Sequence, residues 1–333
     1  MHEPHFWRAV DPKSRQAAPL TRMLLTPLAA LYSWAGQRRI DKTVPFDPGA
    51  PVVCVGNLTL GGAGKTPVSA ALRERFAAQG LRAATLSRGY KGKLTGPTRV
   101  DPNAHTATDV GDEPLMLAQT GESWIAQDRP AGARAMTADG VEVVILDDGH
   151  QNPTLKKARS IVVIDASEPF GNGHVFPKGP LREPVARGLA RADAVVLMGD
   201  GETPAKVAAS GLPVWRARLA PANALEPGGY VAFAGIGRPE RFFDALRARE
   251  GVTLLDAAPF PDHHAYTGSD ESYLRKLASE RGARLVTTDK DAVRLSPEFR
   301  SEVVRASVRA EFDDPTALDA LCSGLVTESA ARD

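Results

Sequence analysis

The chain has 333 residues, more than one hydrophobic core normally holds, so two domains are expected. Apolar residues make up 43% and charged residues 24%, as in a folded, soluble-type protein, and the net charge of +1 argues against the domain-wide basic excess of a nucleic-acid binder. Cys54 and Cys322 lie far apart, and Cys54 falls within an apolar strand pattern, so neither a disulfide framework nor a zinc site is indicated and a reducing cytosol fits best.

The first feature in chain order is Ala17–Ala35, where Leu20, Met23, Leu24, Leu28 and Leu31 recur at helical spacing while Arg22 and Pro27 interrupt the run. No stretch reaches the roughly 18 apolar residues of a spanning helix. The flanks carry Arg8, Lys13, Arg15, Arg38, Arg39 and Lys42, with Trp7, Tyr32 and Trp34 nearby, a composition suited to the headgroup layer of a membrane. The same pattern also suits an amphipathic helix packed on the protein's own core. A signal peptide is excluded, because no small-residue cleavage site follows an uninterrupted apolar core.

Residues 51–56 form an apolar strand that runs into Gly61, Gly62, Ala63, Gly64, Lys65 and Thr66 and then a helical pattern over about 66–79. Glycines there free backbone N–H groups to point at phosphate oxygens; Lys65 is placed to reach the β/γ-phosphates and the Thr66 hydroxyl to hold Mg²⁺. Thr59 stands where the GxxxxGK[ST] pattern has its first glycine. Further strands are expected at 81–87, 141–147, 160–165 and 193–198, with helical patterns at Glu113–Gln119 and Gly132–Ala138. The continuous β-branched runs Val143–Leu146 and Ile161–Ile164 fit parallel strands covered on both faces, which predicts a doubly wound α/β domain. From about 200 to 229 the chain is rich in Gly, Pro and Ala and reads as a boundary or hinge. Beyond it, strands at Tyr230–Ala234 and Arg284–Thr288 and helices at Pro239–Glu250 and Tyr273–Arg281 describe a smaller α/β unit.

Several segments between and after these elements carry candidate chemistry. Strand 141–147 empties into Asp147-Asp148, where a Walker-B metal partner belongs, and two adjacent carboxylates call for a cation. Ser87-Arg88-Gly89-Tyr90 leaves the second strand at the same carboxyl edge; Arg88 is placed either to meet an anion or to lie in solvent. Gly111-Asp112-Glu113-Pro114 opens a helix, where Asp112 is a cap by local rules and a proton acceptor in a phosphoryl-transfer enzyme. The irregular stretch from Gly171 to Pro184 brings Arg182 and Glu183 either toward a substrate or simply across a connection. His263 and His264 sit beside Asp262, and adjacent histidines point different ways, which disfavours a two-histidine metal site. Lys290 either reaches into an interdomain cleft or pairs with neighbouring acids.

In order and spacing, GNLTLGGAGKTP, SRGYKG, GDEP, DDGHQ, GNGHVFPKGPLREP, FPDHHAY and TTDKDAVRL resemble the tetraacyldisaccharide 4′-kinases of lipid A biosynthesis, from about residue 20 to about 312. The resemblance implies a P-loop NTPase-like, mostly parallel α/β domain joined by a hinge to a smaller α/β domain. It implies ATP and Mg²⁺ as cofactors and transfer of phosphate to the 4′-hydroxyl of a tetraacylated glucosamine disaccharide 1-phosphate at the cytosolic face of the bacterial inner membrane. No nucleic acid or obligate protein partner is expected. Carried over residue by residue, Thr59, Gly61, Gly62, Ala63, Gly64, Lys65 and Thr66 would bind nucleotide, and Thr66, Asp147, Asp148 and Glu113 are the candidate Mg²⁺ ligands. Asp112 would be the base, paired with His263 from the second domain, with His264 an adjacent alternative; Arg88, Tyr90, Gln151, Arg182 and Glu183 would line the substrate site, and His150 has no assigned role. The implied division is a membrane-associating segment 1–42, a kinase domain 43–222 and a C-terminal domain 223–333 whose last residues pack back on the first domain. The rival is a partner-regulated P-loop switch or metallochaperone NTPase; Leu60 in place of that class's extra lysine and the lack of an NKxD guanine reader disfavour it.

Overall fold

The computed structural model describes residues 4–9 and 14–316, together with 318, 319, 322 and 325. Lys13 and most residues beyond 316 lie outside the described residues. The large sheet takes strands β1 (Val52–Gly56), β2 (Ala83–Ser87), β3 (Thr98–Arg99), β4 (Ser123–Ile125), β5 (Val143–Asp147), β6 (Arg159–Asp165), β7 (Ala194–Met198), β8 (Val214–Pro221) and β13 (Val308–Phe312) in the order β13-β8-β7-β6-β1-β5-β2-β4-β3. Pairing is parallel throughout except at the two edges, β13 with β8 and β3 with β4. The smaller sheet takes β9 (Gly228–Ala234), β10 (Val252–Pro259), β11 (Arg284–Thr287) and β12 (Val303–Arg305), all parallel, in the order β10-β9-β11-β12.

Burial explains why the central strands show no alternation in sequence. Val53, Val55, Ile145, Ile161 and Val163 enter one apolar cluster, while their neighbours Val52, Cys54, Val144 and Leu146 enter another across the sheet. Each face is covered, so each position must be apolar. The smaller sheet repeats the pattern, with Val231 and Phe233 on one side and Tyr230, Ala232 and Ala234 on the other.

The stretch read as a boundary contains β8, a full member of the large sheet. Its sequence hides this, because Ala217 and Ala220 are its only buried residues and Arg216 and Arg218 face solvent. Its outer partner β13 comes from about ninety residues later. The chain thus leaves the large sheet after β8, builds the smaller one, and returns as β13, so residues 308–312 of the expected C-terminal domain belong to the large sheet. The outgoing and returning connections run together: Ala222 N–H donates to Ser307 O at 2.8 Å, Ser307 N–H to Asn223 Oδ1 at 2.9 Å, and Asn223 Nδ2 to Arg305 O at 2.8 Å.

The N-terminal segment forms helices α1 (Pro19–Leu24) and α2 (Thr26–Lys42), and among the described residues no helix is long and apolar enough to cross a membrane. Ala29 alone is buried in these helices, while Leu20, Met23, Leu24, Leu28, Leu31 and Trp34 are each more than half exposed. The body contacts α2 in its middle and near its C-terminal end: Tyr32 meets Phe176 edge-on with ring centroids 5.3 Å apart, and Arg39 donates to Gln151 O at 3.0 Å.

Helix α3 (Lys65–Ala78) follows the phosphate loop and packs Val68, Leu72 and Phe76 into the same cluster as Leu318, Cys322 and Leu325. Phe76→Ala should therefore cost about 3–5 kcal/mol, the usual range for deleting a buried phenyl group. Urea denaturation followed by circular dichroism measures it; a loss below about 1 kcal/mol would show that this contact does not anchor α3.

Candidate active site

Parallel register brings the first components together. Val55 of β1 lies opposite Asp147 of β5, so the loop after β1 and the turn after β5 leave the same sheet edge side by side. The loop at 57–64 is braced by Asn57, whose Nδ2 donates to Gly61 O at 3.3 Å, and by an antiparallel bridge from Thr59 to Leu181. Gly64 adopts φ +86° at the N-cap of α3, a left-handed conformation that glycine reaches without Cβ strain. The N–H groups opening α3 lack intrahelical partners and face outward, the usual anion site at a helix start.

Behind this loop stand the paired acids. Asp147 is buried and accepts from Ser69 Oγ at 2.8 Å; burial and the nearby Glu113 and Asp148 charges push its carboxyl up to about 7 despite that bond and Lys65. Burial also acts to raise Asp148, but Lys65 at 3.6 Å and the Arg182 guanidinium, at 2.9 and 3.1 Å from its two oxygens, hold it below the usual carboxylate range. Asp148 sits at φ +55°, an uncommon conformation for a residue with a side chain.

Asp112 closes the cleft from a different direction. Helices α4 (Ala107–Val110) and α5 (Asp112–Ala118) meet at Gly111, where φ is +91° and a Cβ would stand 2.6 Å from Tyr90 O, so only glycine allows α5 to start so close to the Tyr90 backbone. His263, from the loop after β10, puts Nδ1 2.7 Å from Asp112 Oδ2, and its Nε2 lies 3.2 Å from Lys290 Nζ. An ammonium only donates, so Nε2 accepts from Lys290 and Nδ1–H donates to Asp112. Arg294 Nε stands 2.9 Å from the same Oδ2, while its Nη1 donates to Gly235 O and pairs with the buried Asp291. Burial alone would raise the Asp112 carboxyl; the His263 hydrogen bond and the Arg294 and Lys290 charges outweigh it and hold it low. Val293 packs with Val110, Leu115 and Ile125 beside this cluster, so the second unit touches the first through apolar as well as ionic contact. His263 is also left-handed, at φ +59°.

Tyr90 is exposed, with its ring 6.2 Å from the His263 ring, and Arg88 is exposed on the same loop. Gln151 donates to Asn57 O at 2.9 Å and to Glu183 Oε1 at 3.0 Å. Glu183 departs from its expected role as a substrate-facing group. It is buried and takes Arg191 on both oxygens, at 2.7 and 2.8 Å, because a carboxylate packed against the large sheet needs a cation beside it. His264 turns to Asp270 at 3.1 Å, away from Asp112. His150 is buried, accepting from Ser160 Oγ at Nδ1 and donating from Nε2 to Gly188 O; burial, reinforced by Lys157 and Arg191, pushes it down to about 3, a neutral structural imidazole.

The whole chain has close counterparts among known proteins. A family model described as tetraacyldisaccharide-1-P 4′-kinase matches residues 21–326. The chain belongs to this family. The tetraacyldisaccharide 4′-kinase of Hyphomonas neptunium is 60% identical over 96% of this chain and 97% of its own length, and that of Maricaulis maris is 52% identical over 96% and 95%. The crystal structure of LpxK from Aquifex aeolicus in complex with ATP superposes with a TM-score of 0.74 at 25% identity, covering 92% of this chain and 99% of that one. These likenesses establish the P-loop NTPase-like α/β fold for this 4′-kinase family member.

Sequence reasoning passed over three residues that the fold brings to the site of this kinase-family chain. Arg294 was visible only as part of TTDKDAVRL, and its pairing with Asp112 spans 182 positions. Ser69 lies one turn into α3 and meets Asp147 only through the β1–β5 register. Arg129 is buried near the acids, and burial together with Arg88 lowers it to about 10. Removing one cation from Asp112 by Arg294→Gln should raise that carboxyl: its charged form is present above the depressed value and lost as pH falls through it, so the titration moves to higher pH. Carbon-13 NMR of aspartate-labelled protein reads this directly, and an unmoved Asp112 titration would show that Arg294 does not set its charge.

Proposed function

We propose that this protein transfers the γ-phosphoryl group of ATP to the 4′-hydroxyl of a tetraacylated glucosamine disaccharide 1-phosphate in lipid A biosynthesis. The observation that carries this reading is the Asp112 carboxylate, held by His263 and Arg294, while its neighbour Glu113 lies close enough to act on Asp147 of the acid pair beside Lys65. His263 and Arg294 both engage Oδ2, which leaves Oδ1 to accept the acceptor's hydroxyl proton. Lys65 and the N–H groups of the loop from Thr59 to Thr66 would hold the triphosphate and stabilise charge on the transferred oxygens.

The donor set fits Mg²⁺. Thr66 offers a hydroxyl at the start of α3, and Asp147, buried beside Asp148 and Glu113, carries more acid than its neighbours neutralise. Thr66 and Asp147 would hold the ion with the phosphates, where it would neutralise charge on the β- and γ-oxygens. Asp148, saturated by Arg182 and Lys65, instead orients those two cations. Arg88, Tyr90 and Gln151 would receive the sugar.

The exposed apolar face of α1 and α2 supports docking on the cytosolic leaflet of the inner membrane, which would keep the acyl chains in lipid while the sugar enters the cleft. On this reading residues 1–42 attach to the membrane, 43–222 with the returning strand form the kinase domain, and the unit from 223 closes over the site and excludes water. A partner-regulated switch would have no use for a carboxylate held in its charged form by groups from a second unit.

Asp112→Ala should lower turnover by at least about 10²-fold in a radiolabelled-ATP assay with the lipid disaccharide, the range expected for a lost general base. Near-normal turnover would remove Asp112 from that role. Deleting residues 1–35 should abolish flotation with lipid vesicles while ATP binding persists; flotation unchanged by the deletion would make these helices part of the core.

A further inference from the structure

A second cationic centre lies beside the membrane-facing helices, outside the site described above. Arg22 of α1, His174 and Lys178 line a cavity of about 260 Å³, with Pro19, Met23 and Thr26 completing the wall. No carboxylate lines it, and neither Arg22 nor Lys178 has an ion pair or side-chain hydrogen bond among the described residues. Arg22 and Lys178 are both partly buried, so like charges are held together with reduced access to water. His174 registers this: burial first, then Lys178 and Arg22, push its imidazole below the ordinary value.

The loop presenting two of these groups is built, not loose. Asn172 Nδ2 donates to Lys178 O and to Phe6 O, both at 3.0 Å, and its Oδ1 accepts from His174 N–H at 3.1 Å. Trp7 Nε1 donates to Pro177 O at 3.0 Å, and Phe176 is edge-on to both Trp7 and Tyr32. The N-terminal segment therefore clamps the loop and supplies Arg22 as a second cation beside Lys178, with His174 held toward its neutral, hydrogen-bonding form. Leu20, Met23 and Leu24, each more than 60% exposed, surround Arg22 on the same short helix.

We infer that Arg22, His174 and Lys178 form a binding subsite for a lipid-borne phosphate, at the boundary between the apolar helix face and the kinase cleft. An anion would neutralise the uncompensated cations, and the apolar residues around Arg22 select one attached to acyl chains. The same loop continues to Leu181, which bridges Thr59 of the phosphate loop, so Lys178 Cα lies within about 11 Å of that contact. A disaccharide that carries one phosphate and accepts another at its far end would place the first here while its free hydroxyl approaches Asp112. That assignment rests on the proposed 4′-kinase function; a phosphodiester of the surrounding bilayer offers the same chemistry.

The test uses the full chain with Arg22→Gln and Lys178→Gln combined, checked for unaltered ATP affinity and circular dichroism. In mixed micelles, KM for the disaccharide 1-phosphate should rise about 10-fold with kcat retained, while KM for the same acceptor lacking the 1-phosphate stays put. Flotation with phosphatidylcholine vesicles, with and without phosphatidylglycerol, is measured alongside. A loss confined to phosphatidylglycerol vesicles, with both KM values unchanged, would support the phosphate subsite and assign it to bulk lipid. No change in either assay, or equal losses for both acceptors and both vesicles, would overturn it. Absence of turnover by the unaltered protein would sink the kinase reading instead, and the vesicle measurement would still decide the subsite.

Discussion

Pairing of Val55 with Asp147 brings the glycine-rich loop that leads to Lys65 and the adjacent acids Asp147 and Asp148 onto one sheet edge, and charge balance there governs the arrangement around it. Asp148 is matched by Lys65 and Arg182, while Asp147, buried and set near the Glu113 and Asp148 charges, holds its proton more tightly. Arg182 reaches Asp148 because its loop is stitched to the phosphate loop through Leu58, Thr59 and Leu60 backbone contacts. Glu183 on the same loop takes the complementary position, buried against Arg191 and Gln151. On the proposed kinase reading, an imbalance at this edge would make the centre receptive to a divalent ion and a polyanion.

The same reasoning ties the two units of the molecule. Asp112 belongs to the large-sheet unit, yet the groups that stabilise its charge, His263, Lys290 and Arg294, all come from the other. Separating the units would strip the carboxylate of those partners and expose the Val110–Val293 contact, so affinity between the units and ionisation of Asp112 are coupled. If Asp112 is the proton acceptor proposed above, it would work only when both units are in place.

Much of this was legible in the residues themselves. The apolar runs named the central strands, the glycine-rich turn marked the loop between β1 and α3, and the motif order pointed to the contact of Asp112 with His263. Legibility failed where a residue's partner lies far away in the chain. Arg294 and Ser69 are ordinary helix-associated residues until the tertiary register hands them a carboxylate, and β8 looks like a linker because its burial is confined to two alanines. Glu183 misled for the opposite reason, since an acid beside a site arginine reads as functional although its carboxylate faces inward to Arg191.

The side-by-side connections at 221–223 and 305–307 carry a mechanical implication. A body suspended from a single strip of backbone can pivot in any direction, but one suspended from two strips laced by three hydrogen bonds behaves like a door on a long edge. Its easy movement is a swing about the line joining the strips, and twisting about their length is resisted. Such a restriction would return His263 to the same place beside Asp112 after every excursion, so that a contact drawn from separate bodies re-forms with the same geometry.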